Sequence, residues 1–161
     1  MQGLSKCTSQ ELGNSSRLLI VDGDTYLRTS LRQQFVAEGF DNIFDVGLAT
    51  ELTTALKEAN PDLILLDIQM PDGNGVEICR RLRREGFAKP IVMLTAKNAE
   101  SDIIEGLEAG ANDYVTKPLR MGELLARIHT QLRQFKASDD ARFELADLNF
   151  VPANKMLHKM E

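Results

Sequence analysis

Three acids, a hydroxyl and an ammonium stand just beyond four short apolar runs of this chain. Asp22, with Gly23 and Asp24, follows the run 18–21, and Asp67 follows 63–66. Thr95 and Ala96 follow 91–94, and Lys117 with Pro118 comes shortly after Tyr114 and Val115. Brought to one rim, these groups are the inventory for phosphoryl transfer through a divalent ion. A carboxylate can act as a nucleophile and form an acyl phosphate. Neighbouring acids are hard oxygen ligands for Mg2+, which keeps several waters and neutralises phosphoryl oxygens. A lysine and a hydroxyl can bind the remaining phosphoryl oxygens as charge redistributes. Singly, each residue has a plainer reading. One acid after a strand is usually a helix cap or turn former, Thr95 alone would be an N-cap, and Lys117 alone a solvated lysine. The conjunction at four successive strand ends outweighs those readings.

The elements that must position these groups are legible as pattern. The continuous apolar runs 18–21, 63–66 and 91–94 suit strands covered on both faces. Weaker strands are expected at 43–46 and at Tyr114–Val115. Between them come helical spacings: Leu27, Leu31 and Phe35, stopped by Gly39; Leu52, Leu56 and Ala59, stopped by Pro61; Val76, Cys79 and Leu82, stopped by Gly86; Ile103, Ile104 and Leu107, stopped by Gly110. A long fifth helix carries Leu124, Leu125, Ile128, Leu132 and Phe135. Five strands alternating with five helices predict a doubly wound α/β fold, a five-stranded parallel sheet with right-handed crossovers and helices on both faces. In such a sheet the functional crevice lies at the carboxyl ends of the strands, where strand order reverses.

The flanks differ. Residues 1–16, rich in Ser, Gly, Gln and Asn, are expected to be a disordered leader. Residues 136–141 are expected to be a linker. In 142–161 Phe143, Leu145, Leu148 and Phe150 alternate with polar residues, and Pro152-Ala153-Asn154 suggests a turn, so hairpin material is expected there.

Composition bounds the function. The 161 residues include 43% hydrophobic and 27% charged, ordinary for a globular protein. A net charge of −5 gives no sign of nucleic-acid binding by the bulk of this chain. The two cysteines, Cys7 and Cys79, are read as free thiols in a reducing compartment. No apolar run reaches the ~20 residues of a membrane span, and no signal-peptide stretch follows Met1; a cytoplasmic location is expected. Arg80, Arg81, Arg83 and Arg84 are read as the solvated face of a helix. His129 and His158 lack partners at metal spacing and are read as surface residues.

The stretch Leu63-Ile64-Leu65-Leu66-Asp67-Ile68-Gln69-Met70-Pro71-Asp72-Gly73-Asn74-Gly75 closely resembles the phosphorylation strand and loop of response-regulator receivers. Val92-Met93-Leu94-Thr95-Ala96 and the segment from Gly110 to Pro118 resemble two later receiver motifs, and the resemblance spans about residues 17–135. It implies the flavodoxin-like strand order 2-1-3-4-5. It implies that Asp67 takes phosphate from a sensor histidine kinase, with no enzymatic activity beyond self-phosphotransfer and autodephosphorylation. Thr95 would sense the phosphoryl group, Tyr114 would be the coupled aromatic switch, and Lys117 would contact the phosphoryl group, with a cis peptide before Pro118. Mg2+ would be held by Asp22, Asp67 and the backbone carbonyl of Gln69. Tyr114 with Glu123-Leu124-Leu125-Ala126-Arg127 resembles the OmpR/PhoB family, and residues 143–159 resemble the opening strands of its winged-helix output domain. Promoter DNA would then be read only by residues beyond Glu161. A phosphorylation-linked homodimer through the fourth helix, fifth strand and fifth helix is implied, with Asp113 and Arg127 at positions of an intersubunit ion pair. Glu108 would face His129. Glu123 would lose its partner because Ile103 takes an often basic position.

One departure matters. Receivers usually carry two adjacent acids after the first strand, and here Gly23 fills the second place. Asp24 reaches the ion only if the loop bends. Otherwise Asp22, Asp67 and the Gln69 carbonyl hold it with an extra water, the arrangement we favour, and binding weakens. Two other readings compete. A pseudo-receiver would act as an interaction module without phosphate. A haloacid-dehalogenase-type phosphatase would use Asp22 as nucleophile, since residues 19–25 match that family's first motif, but that reading leaves the Asp67 loop unexplained.

Overall fold

Runs such as 63–66 can be apolar throughout only if both faces of their sheet are covered, and they are. The computed structural model describes residues 15–96 and 100–148. Strands β1 (Arg17–Val21), β2 (Asn42–Val46), β3 (Leu63–Asp67), β4 (Ile91–Ala96) and β5 (Asp113–Lys117) form one parallel sheet in the order β2-β1-β3-β4-β5. The helices are α1 (Thr25–Ala37), α2 (Leu52–Ala59), α3 (Gly75–Arg84), α4 (Glu100–Glu108) and α5 (Met121–Leu148). This is the doubly wound architecture and strand order expected.

Successive side chains of a strand point to opposite faces. Leu19, Val21, Ile64, Leu66, Ile91 and Met93 pack in one layer with Leu52 of α2 and Val76, Cys79 and Leu82 of α3. Leu18, Ile20, Leu63, Leu65, Val92 and Leu94 form the other layer with Leu31 and Phe35 of α1 and Leu124, Ile128 and Leu132 of α5. Each such side chain contributes ~1.5–3 kcal/mol by burial, so an acid at Ile64 would break the sheet. Register follows, with Leu19 beside both Phe44 and Ile64, and Leu66 beside Met93. Helix α1 stops where Gly39 takes φ 102°, and α4 where Gly110 takes φ 115°. That left-handed conformation closes a helix at little cost for glycine.

Three expectations are corrected. Helix α5 runs on to Leu148, so the expected linker 136–141 is helical, as are 143–148, expected to open a hairpin. No Gly or Pro lies between Lys136 and Leu148 to stop the helix, and Lys, Ala, Arg, Glu and Leu favour it. The rest of that hairpin and leader residues 1–14 lie outside the described residues. Arg83 is not on a solvated face: its guanidinium donates to the carbonyls of Gly110, Phe87 and Lys89 and to Asn112 Oδ1. His129 is half-buried, its ring stacked on Phe40 with centroids 5.7 Å apart. Cys79 is a buried free thiol.

Candidate functional site

Strand β1 has β2 on one side and β3 on the other. Chain connections leave the two sides in opposite directions, and a crevice opens at the carboxyl ends of β1 and β3. Asp22 lies directly after β1, fully buried. Its Oδ1 accepts the Asp24 N–H at 2.8 Å, and its Oδ2 accepts from Lys117 Nζ at 2.9 Å. Asp67 ends β3, 8% exposed. Its Oδ1 accepts the Gln69 N–H at 3.2 Å, and its Oδ2 lies 3.4 Å from Lys117 Nζ. Lys117 ends β5, and its bond to Pro118 is cis. Thr95 of β4 is buried and its hydroxyl donates to the Ala96 carbonyl at 3.4 Å. Asp67, Ile68, Gln69, Thr95, Ala96 and Lys117 line a cleft of about 110 Å³. Asp22, Asp67, Thr95 and Lys117 thus share one rim.

Burial, and then the charge of Asp22, push the Asp67 carboxyl above the usual carboxylate range, while Lys117 and the Gln69 N–H oppose them. Burial works against the Lys117 charge. The Asp22 hydrogen bond and the two carboxylate charges outweigh it and raise the ammonium's pKa. The rim therefore pairs a cation with two buried acids.

Asp24 is used elsewhere. Its carboxylate accepts the N–H groups of Tyr26 and Leu27 and caps α1. Over Gly23 lies the ring of Pro71: a Cβ at position 23 would sit 2.6 Å from its Cδ and 2.8 Å from its Cγ. Among the described residues no three His, Cys, Asp or Glu side chains gather as a metal-binding group. The carboxylates of Asp22 and Asp67, with main-chain oxygens of the loop, would be the donors for an ion at this rim. Mg2+ accepts one or two carboxylates and retains waters, so these residues fit it.

Sequence reading missed three supports. Arg28 of α1 donates from Nη1 to the Asp22 carbonyl at 2.7 Å. Asp72 accepts the N–H groups of Ala49 and Thr50, at 2.6 and 3.1 Å, tying the loop after β3 to the turn before α2. Gly75 opens α3 against the main chain of Asp67 and Ile68, where a Cβ would collide. An arginine one turn into the helix after Asp22, with Asp45 next to the end of the following strand, was the available signal for the first.

On the α4–β5–α5 side, Arg127 Nη1 holds both oxygens of Asp113 at 2.9 Å within one chain, and its Nε lies 3.3 Å from Glu123. Both partners expected across a dimer are thus already paired intramolecularly, because β5 and α5 bring them side by side. Glu108, Ile104 and Leu107 are exposed on α4, and Tyr114 is half-buried.

The five-stranded doubly wound sheet, with two buried acids, a hydroxyl and a lysine at its rim, defines a CheY-like receiver class of signalling domain. The chain belongs to the response regulator receiver domain family, whose model matches residues 18–129. It is 41% identical over 146 residues to the DNA-binding response regulator MtrA of Mycobacterium leprae, which covers 90% of this chain and 64% of that protein. With the response regulator MprA of Mycobacterium avium it shares 39% over 145 residues, 86% of this chain and 62% of that one. The chain thus spans less than two thirds of the curated relatives it matches. Its fold is similar to the BeF3-activated N-terminal receiver domain of Klebsiella pneumoniae RstA, at 30% identity and TM-score 0.68, covering 73% of this chain and 98% of that one. A phosphatase built on Asp22 is not favoured by these matches. Among the described residues no helix is long and apolar enough to cross a membrane.

Proposed function

We propose that Asp67 is the phosphoacceptor of a cytoplasmic response regulator of OmpR/PhoB type and takes its phosphoryl group from the phosphohistidine of a sensor histidine kinase. The observation that carries this is Lys117 Nζ, 2.9 Å from Asp22 and 3.4 Å from Asp67 on one buried rim. An Asp67 oxygen attacks phosphorus in line. The new P–O bond makes an acyl phosphate, the P–N bond to the kinase histidine breaks, and its electron pair returns to the imidazole. Asp22, Asp67 and the Gln69 carbonyl would hold Mg2+, with no side chain at position 23 to join them. When bound, the ion neutralises phosphoryl oxygens. Lys117 binds the charge that builds there, and the Thr95 hydroxyl takes another phosphoryl oxygen. Tyr114 then follows Thr95, and the α4–β5–α5 face joins a second copy. Promoter DNA is the proposed target of the regulator, in keeping with a relative described as a DNA-binding response regulator.

Acetyl phosphate and Mg2+ supply the test. Intact mass should show one phosphoryl group on wild type and none on Asp67→Asn, and borohydride trapping should mark Asp67. Label on another residue would sink the assignment. Gly23 and the Pro71 ring over it favour a second reading, a phosphate-independent interaction module; wild type that never gains a phosphoryl group would establish it.

A further inference from the structure

We propose that Arg28 is a positioning residue: its guanidinium, clamped by Asp45, holds the Asp22 peptide and so sets the direction in which the Asp22 carboxylate meets the ion. The proposal rests on the functional reading above, since the ion belongs to it. Arg28 touches no reacting atom and acts only through Asp22.

The geometry is that of a built clamp. Arg28 Nη1 donates to the Asp22 carbonyl at 2.7 Å, Nε to Asp45 Oδ2 at 2.8 Å, and Nη2 to Thr25 Oγ1 at 3.4 Å. The other Asp45 oxygen accepts from Arg32 Nη2 at 2.6 Å. The Arg28 side chain is 16% exposed, so water competes poorly for these bonds. Gly47, one residue past β2, leaves the space that the guanidinium fills: a Cβ there would lie 2.6 Å from Nη1 and 3.1 Å from Cζ.

The need for such a clamp follows from Gly23. Asp22 precedes the residue with the widest backbone freedom, and position 23 has no side chain of its own to fix the peptide. Besides the Lys117 Nζ bond to its Oδ2, three bonds hold Asp22. Its N–H donates to the Val46 carbonyl at 3.2 Å, its carbonyl accepts from Arg28, and its Oδ1 accepts the Asp24 N–H. The first two both run to the β2 end, directly through Val46 and indirectly through Asp45. The Asp22 carboxylate is thus aimed from β2 through α1. Partners that orient a metal ligand are commonly worth ~10–100-fold in metal affinity.

The experiment uses the full chain in four forms: wild type, Arg28→Gln, Gly47→Ala and Arg32→Gln. Gly47→Ala displaces the guanidinium without removing it, and the displaced atoms are the far end of a flexible side chain. Arg32→Gln removes the more exposed partner of Asp45 and leaves the bond to Asp22. Calorimetric Mg2+ titration should show about tenfold weaker binding for Arg28→Gln and Gly47→Ala, with Arg32→Gln within about twofold of wild type. In ion-free protein, exchange of the Asp24 N–H should quicken in the same two variants, while denaturation midpoints identify any general loss of fold. Wild-type affinity and wild-type Asp24 exchange in a folded Arg28→Gln or Gly47→Ala would overturn the proposal. An equal loss in Arg32→Gln would overturn it too. If wild type takes up no Mg2+, the functional reading fails, and the exchange arm still decides whether Arg28 fixes Asp22.

Discussion

An acid placed at position 23 restores the carboxylate that receivers usually carry there, but it must share its space with Pro71. A Cβ at 23 lies 2.6 Å from Pro71 Cδ, against the ~3.5–4.0 Å at which carbon atoms rest. The ring must retreat by about 1 Å. It cannot swing away as a lysine tip would, because it is bonded to its own main chain, and the next residue, Asp72, is tied to Ala49 and Thr50. Such overpacking costs ~1–3 kcal/mol. The direct ligand gained is worth ~1–2 kcal/mol, about tenfold in affinity. Gln69 stands two residues before Pro71, so a retreating ring draws the proposed carbonyl ligand away, and binding the ion reimposes the clash. The two effects are of one size. Gly23→Asp should therefore unfold in urea with ~1–3 kcal/mol less stability and bind Mg2+ within about threefold of wild type. The double variant Gly23→Asp/Pro71→Ala should bind about tenfold more tightly than Pro71→Ala alone. A single variant as stable as wild type and tenfold tighter would refute the steric argument. A double variant no tighter than Pro71→Ala would refute the missing-ligand argument.

Gly75→Ala should lower stability by ~1–3 kcal/mol, because the added methyl meets the main chain of Asp67 and Ile68; an unchanged urea midpoint would contradict this. Asp45 should give a pH signature. Burial raises its pKa, but Arg32 and Arg28 outweigh that and hold it below 3.8, so its contribution is present above that pH and fades as pH falls through the folded value. Asp45→Asn should cost ~1 kcal/mol at neutral pH, and the gap from wild type should narrow below pH 3.8; a gap independent of pH would rule out the ion pair as its source. Arg127→Glu places a like charge beside Asp113 and Glu123 on the proposed dimer face and should weaken the phosphorylated dimer in sedimentation, by no more than the ~0–1 kcal/mol of an exposed ion pair per copy; an unchanged dimer would rule that face out.

The sheet was legible because β1, β3 and β4 are buried on both faces, and burial leaves a continuous apolar run that needs no long-range knowledge. Asp67 and Lys117 were legible because they end strands. What escaped was set by contacts between distant segments. Pro71 over Gly23 and Arg28 under Gly47 leave no periodic trace, since each depends on how two distant segments approach. Helix α5 was cut short by giving weight to Phe143 and Leu145 at alternate positions, when the surrounding Lys, Ala, Arg and Glu carry no stop signal. Ile104 and Leu107 marked a helix correctly yet lie on its exposed side, because periodicity shows that a face is apolar and not what covers it.

The carboxylate of Asp72 makes the amides of Ala49 and Thr50 a gauge of the loop that carries the acceptor. Both N–H groups bond to a side chain one residue past Pro71 and not to their own turn. Any displacement of that loop stretches or shortens these two bonds. Their nitrogen and proton resonances should then move with the state of Asp67, although neither residue lines its cleft. Two peaks in a backbone spectrum thereby become a readout of the acceptor loop that requires no label, dye or substitution.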